Sequence, residues 1–236
     1  MKTTKNWKPA RIVLSLLLIA AAGPLFAAAD PIDTAIAVST PAEAEALEKA
    51  VESEPEGVRD LCIGIAHHNI AGEFDRYIPT AISHLENAWR LTGKPIALAY
   101  LGSAKTIRAG LASSGGDIIT AVADLDEGLK NIDEAIALDG DDIELRILRI
   151  YNGLDVSVNS PISREKEISA DLEMLGSRLG SMDSGSLSLY WLSKGQFEMM
   201  SEQWDEAFDS FGKAIAAAPE SKYARAAENF LWELEE

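Results

Sequence analysis

Residues 188–221 read SLYWLSKGQFEMMSEQWDEAFDSFGKAIAAAPES. Two segments of helical periodicity, 187–200 and 204–218, stand here with small residues between their apolar ones. Gly195, Ala207 and Ala214 are spacers: a side chain of one atom or none lets two antiparallel helices approach until their backbones nearly touch. Pro219 closes the second helix, because it lacks an N–H and clashes with the preceding turn. Residues of this kind bury backbone and carry no chemistry, so the stretch describes a scaffold rather than a reactor.

Working outward, helical segments follow one another almost without interruption. They run over about 41–53, 56–71, 78–92, 95–113, 117–138, 142–154 and 163–179 before this pair, and over 220–235 after it. Pro41, Pro55, Pro79, Pro95, Pro161 and Pro219 all fall at or beside proposed helix starts, where a missing N–H costs little. No segment alternates apolar and polar residues with β-branched enrichment, so a sheet is not expected. Residues 30–40, DPIDTAIAVST, have no clear period and read as a flexible lead-in.

The opening stretch resembles one whole tetratricopeptide (TPR) repeat, a 34-residue helix–turn–helix unit. Trp191, Gly195, Ala207, Phe211, Ala214 and Pro219 hold the signature positions; Lys194 and Glu198 depart from it, standing where the family has a Leu and an aromatic. Earlier segments match more loosely. Ala81, Leu85 and Ala88 take second-helix positions, with Ile65 and Asn69 where an aromatic and a Gly would stand. Leu101-Gly102 and Ile132/Ala135 mark a further pair whose halves are lengthened around Ser113-Ser114-Gly115-Gly116. Tyr100–Ser103 (YLGS), Ile132–Ile136 (IDEAI) and Arg146–Arg149 (RILR), in that order, are similar to a group of exported bacterial TPR-like proteins with no settled activity. The resemblance implies an all-α, right-handed superhelical array of antiparallel helix pairs, a TPR-like solenoid. Its pairs would cover about 56–92, 95–138, 142–179 and 187–218 within a domain spanning 41–236, and 220–235 would cap the stack.

The N-terminus adds an address. Lys2, Lys5, Lys8 and Arg11 precede an apolar run from Ile12 to Ala22, then Gly23-Pro24 and small residues ending at Ala29. This pattern reads as a Sec-type signal peptide over 1–29 with cleavage between Ala29 and Asp30, placing the protein in the periplasm or outside the cell. The run falls short of the roughly 20 residues that span a bilayer, so no stable membrane insertion is expected after cleavage. Removing the four cations, with no acid among them, would take the formal charge from −17 to −21. Such a surface disfavours nucleic acid and anionic lipid, and steers cationic or neutral partners. Cys62 is the only cysteine and lies in the apolar LCIGIA, so no intrachain disulfide forms. It reads as a small buried hydrophobe, with a thiol contact between chains as the alternative.

Motifs that would announce catalysis are missing: there is no P-loop, no G-x-S-x-G and no H-E-x-x-H, so a non-catalytic protein without cofactor is expected. His67 and His68 are adjacent on a helix, about 100° apart, and a metal would need His84 from the neighbouring helix plus a carboxylate. Asp139-Gly140-Asp141-Asp142 fails EF-hand spacing and reads as a helix end followed by an Asp cap. Arg146 and Arg149, one helical turn apart, would either clamp a carboxylate or phosphate from a partner or neutralise nearby acids such as Asp142, Glu144 or Asp155. In TPR proteins the second, fifth, ninth and twelfth positions of each first helix line a concave groove. Carried over, these are Leu189, Leu192, Gln196 and Met199 in the clear repeat, and Ile96, Ala99, Ser103 and Thr106 in the long pair. Either these residues meet an apolar peptide segment, or the N-terminal or final helix covers them. The final helix places Tyr223, Ala227, Phe230, Leu231 and Leu234 at helical spacing, with a Phe230–Trp232 edge as a homodimer contact in the alternative reading.

The sequence therefore predicts a periplasmic adaptor that holds a protein or peptide partner of the cell envelope in its groove, as an accessory to an assembly or transport system. The alternative is a carrier of a small anion or metal ion.

Overall fold

The computed structural model describes residues 30–71 and 75–235; the predicted signal peptide lies outside the described residues. Among them the chain is helical, with eleven α-helices, two single 3-10 turns and no strand. The helices are α1 (Pro31–Ala37), α2 (Pro41–Ala50), α3 (Glu56–Ile70), α4 (Ile78–Thr92), α5 (Pro95–Ser114), α6 (Ile118–Leu138), α7 (Ile143–Asn159), α8 (Glu165–Gly176), α9 (Ser184–Met200), α10 (Trp204–Ala217) and α11 (Lys222–Glu235). None is long and apolar enough to cross a membrane.

The expected lead-in over 30–40 is corrected by α1. Asp30 caps it, accepting from the Ile32 N–H at 2.8 Å, and Pro31 occupies the first turn. Seven residues would not hold a helix alone. Burial of Ala35 and Val38, and a clamp from α3, hold this one: Asn69 donates to the Ala35 and Ile36 carbonyls at 3.3 and 3.0 Å, satisfying helix-end acceptors. Helix α1 is barely two turns long, too short for a period to show in the sequence.

Helices α3 and α4, α5 and α6, α7 and α8, and α9 and α10 each pack as an antiparallel hairpin. Glycine sets the approach in several. A Cβ on Gly102 of α5 would stand 2.5 Å from the Gly128 carbonyl oxygen of α6, and one on Gly128 would stand 2.7 Å from that of Gly102. A Cβ on Gly195 would stand 2.6 Å from the Phe211 ring, which is the packing reason for glycine at that position. Facing polar groups lace the long α5–α6 pair: Arg108 grips Asp124 through two bonds of 2.6 and 2.7 Å, and Lys105 reaches Glu127 at 2.7 Å. Beyond these contacts the hairpin end carries Leu111, Ile118, Ile119 and Val122 in solvent.

Buried apolar residues fall in three groups that share helices. The first runs from α1 to α7, the second joins α7, α8 and α9, and the third joins α9, α10 and α11. Helix α7 gives Leu145 to the first and Ile150 to the second; α9 gives Tyr190 to the second and Leu192 to the third.

Lys194 and Glu198, the two residues that break the repeat pattern, answer each other. They form an ion pair one turn apart on α9, and Ser210 of α10 donates to the other oxygen of the buried Glu198 carboxylate at 2.5 Å. A polar three-way contact thus replaces the apolar one expected at this crossing. Glu198→Ala would leave the Ser210 hydroxyl buried without its acceptor and is expected to cost about 1–3 kcal/mol in urea unfolding. A loss below a few tenths of a kcal/mol would mean that the contact contributes nothing to the crossing.

Candidate functional site

The arginines read as an anion clamp are already occupied from within. Asp171 of α8, wholly buried, accepts from Arg146 Nη1 at 2.5 Å and from Arg149 Nε and Nη2 at 2.7 and 2.8 Å. Arg149 also reaches Asp133 of α6 at 3.3 Å, and Arg164 binds the same carboxylate at 2.6 Å. Arg146 also donates its Nε–H to the Gly140 carbonyl at 2.6 Å. Burial draws the Arg149 guanidinium down, but its bonds to Asp171 outweigh that and leave it above its ordinary value. The clamp reading is therefore corrected, and so is the choice of local acid: the partner is Asp171, not Asp142, Glu144 or Asp155. No spacing rule points to Asp171, which lies 22 and 25 positions away.

The groove residues are corrected too. Leu192, Gln196 and Met199 are buried, and Leu192 and Met199 pack with Phe211 and with Ala227, Phe230 and Leu234 of α11. In the long hairpin Ala99, Ser103 and Thr106 are buried: Ser103 bonds His68 at 2.8 Å, and Thr106 accepts from Asn152 of α7 at 2.5 Å. Ile96 is half-buried against the first core group. Stacking of successive first helices consumes this face. Leu189, one turn from the start of α9, remains half-open. Phe230 is half-buried against the third core group, its ring stacked on Phe211 at 5.1 Å, so the proposed dimer edge retains only Trp232 as a fully exposed ring.

The histidines serve packing and hydrogen bonding. His67 bonds Glu48 at 2.8 Å and His84 bonds Asp60 at 2.8 Å, with their rings 6.3 Å apart. Among the described residues no group of three or more His, Cys, Asp or Glu side chains is arranged to hold a metal ion. Asp142 caps α7, accepting from the Glu144 and Leu145 N–H groups, and Asp141 pairs with Arg178 at 2.5 Å. Burial pushes the Cys62 thiol up to about 12, so it stays protonated and inert.

What the repeat positions did not reveal is a recess of about 450 Å³ where α1, α7 and the starts of α9 and α11 converge. Ile36, Ile147, Leu189 and the Tyr223 ring supply apolar wall, and Asp33, Glu144, Asp183 and Glu220 supply carboxylates. Lys222 and Arg225 are its cations. Glu144 is half-buried and accepts from the Tyr100 hydroxyl at 3.0 Å; burial nevertheless pushes its carboxyl up. The Tyr100 hydroxyl is itself pushed well above its usual value, by burial and then by Glu144. Asp183 is committed as the α9 cap: the Ser186 hydroxyl donates to it at 2.6 Å, and the Ser186 and Gly185 N–H groups donate as well, which holds it below the usual carboxylate range. Burial draws the Lys222 ammonium down while Glu144 and Glu43 oppose this, and its Nζ lies 5.0 Å from the Tyr223 ring centroid. No family model, curated protein or solved structure matches this chain.

Two outcomes follow. Asp171→Asn leaves two buried guanidinium groups with a neutral partner and is expected to destabilise the fold by about 3–5 kcal/mol, the cost of breaking a buried ion pair. A loss under about 1 kcal/mol in chemical unfolding would refute that role. Burial also draws His68 down to about 4, so the unfolded chain takes its proton first. The stability tied to a neutral His68 is complete above the ordinary value near 6.5 and falls as pH drops toward 4. Between pH 7 and pH 5 the parent protein should lose about 2 kcal/mol more than His68→Gln, measured by parallel urea titrations; equal losses would show that His68 is not desolvated.

Proposed function

We propose that the chain is a right-handed, TPR-like superhelical stack exported to the periplasm, and that it acts as a non-catalytic adaptor for a protein or peptide of the cell envelope. The relation among first helices carries the architecture. Helices α3, α5, α7 and α9 touch one another in order and α11 continues the row against α9, whereas α4, α6, α8 and α10 pack chiefly on first helices. Closer spacing on one side of a stack curves it toward that side. The basic, apolar and small-residue succession of the first 29 residues supports export.

The binding surface in this reading is the recess between the two ends of the stack, not the interhelical face first assigned to it. The carrying observation is that α1 and α11, the first and last helices and both outside the four hairpins, face one another across α7 and α9 with a cavity left between them. A polypeptide segment entering there would meet apolar wall and charged edge together, the usual composition of a recognition site.

A photo-activatable residue placed at Leu189 tests this in the native envelope. It is expected to form a reproducible adduct with one partner, lost in Glu144→Arg protein that keeps its helical circular dichroism. Placed instead at Phe208, an exposed position on α10, the same residue is expected to give none. An adduct from position 208 alone would move the binding surface away from the recess.

A further inference from the structure

We infer that the recess receives an alkylammonium group, either the side chain of a lysine on a polypeptide or a free polyamine. This rests on the recess being the module's binding surface and specifies what enters it. An alkylammonium has an apolar stem and a cationic head, and the recess offers both counterparts within one cavity of about 450 Å³. Ile36, Ile147 and Leu189 line the stem's path, and the Tyr223 ring presents a face on which a cation is attracted.

The charge arrangement selects the sign of the ligand. Four carboxylates line the recess against two cations, and Arg225 is turned in part to its own backbone, donating to the Glu220 carbonyl at 3.3 Å. Glu144 is the least exposed of the four. The Tyr100 hydroxyl occupies one of its oxygens at 3.0 Å, and one neutral donor does not replace the water that a half-buried carboxylate has lost. A second, cationic donor would do so. An anion would instead join four carboxylates, in a chain of formal charge −17 that repels it from a distance.

Lys222 shows that the recess tolerates such a group. Its ammonium stands over the Tyr223 ring rather than in an ion pair, and it is sustained by the field of Glu144 and Glu43 against the penalty of burial. Lys222 is thus a resident ammonium that an incoming one must share the recess with. Replacing it by an uncharged side chain of similar length removes a like-charge neighbour from the site.

Calorimetric titration of the purified protein with two probes provides the test: spermidine, and the blocked peptide acetyl-Ala-Leu-Lys-Leu-Ala-amide beside its norleucine counterpart. Binding of spermidine alone assigns a free polyamine; binding of the lysine peptide, but not the norleucine one, assigns a side chain on a polypeptide. Glu144→Gln, its fold checked by circular dichroism, should weaken the bound probe about tenfold, the loss of one charge-assisted contact. Lys222→Met should strengthen it. The inference is overturned if neither probe binds at millimolar concentration, if Glu144→Gln binds as the parent does, or if Lys222→Met abolishes binding, which would make Lys222 an anion-binding donor. Equal binding of lysine and norleucine peptides would overturn the ammonium reading while leaving the polypeptide reading intact. A crosslink at position 189 that persists in excess spermidine would separate the two in the same way.

Discussion

A carboxylate with no solvent exposure, Asp171, is held by two arginines from one face of α7, and the middle of the molecule is organised around it. An ionised carboxylate buried alone would be untenable, because its lost hydration is worth several kcal/mol. Arg146 and Arg149 replace that hydration with three short charge-assisted bonds. The excess positive charge is met in turn by Asp133 of α6, which also takes Arg164 from the segment leading into α8. Helices α6, α7 and α8 are thereby fixed in one register. That matters because apolar packing here is divided: the first core group ends at Leu145 of α7 and the second begins at Ile147 and Ile150 on the same helix. Directional polar bonds at this junction set the angle between the two halves where non-directional apolar contact would leave it loose.

The same substitution of polar for apolar contact explains why the repeat signature expected from the resemblance is only partly held. At the clear repeat, Lys194 and Glu198 exchange an aromatic contact for an ion pair completed by Ser210. In the long hairpin, Arg108–Asp124 and Lys105–Glu127 do comparable work beside the Gly102–Gly128 crossing. Spacing of small residues survives because it governs how close two backbones can come. Identity at the other signature positions is free to drift wherever a complementary residue appears across the interface.

This accounts for what could be read from the chain. Helix boundaries were legible because prolines, glycines and periodicity are local, and ten segments fall close to α2–α11. Helix α1 was not, since its stability comes from Asn69, more than thirty positions away. Arg146 and Arg149 were legible as a pair, but their partner depends on how α8 returns across α7. The groove positions were misassigned for a related reason. The positions carried over from the repeat family are the ones that each further helix in the row packs against, so Leu192 and Met199 are taken by α11 and Thr106 by α7.

The recess follows from the same geometry, which is why it lies where the repeats stop. Where α3, α5, α7, α9 and α11 follow one another in contact, the facing residues are spent on the neighbour, and α1 and α11 line one recess with α7 and α9. The elements that meet there answer to no repeat pattern: α1 precedes the first hairpin and α11 follows the last. One face of each packs inward, through Ala35 on α1 and Ala227 on α11, and the residues turned to the recess are free of that packing requirement. They are consequently the place where carboxylates, a tyrosine face and a lysine can be gathered without cost to the hairpins. Glu144 shows how the two regimes join: it stands one residue into α7, on the stack itself, and is steadied by Tyr100 from the neighbouring first helix. Helix α7 thus supplies the least exposed of the recess carboxylates, and α1, α9 and α11 supply the residues around it.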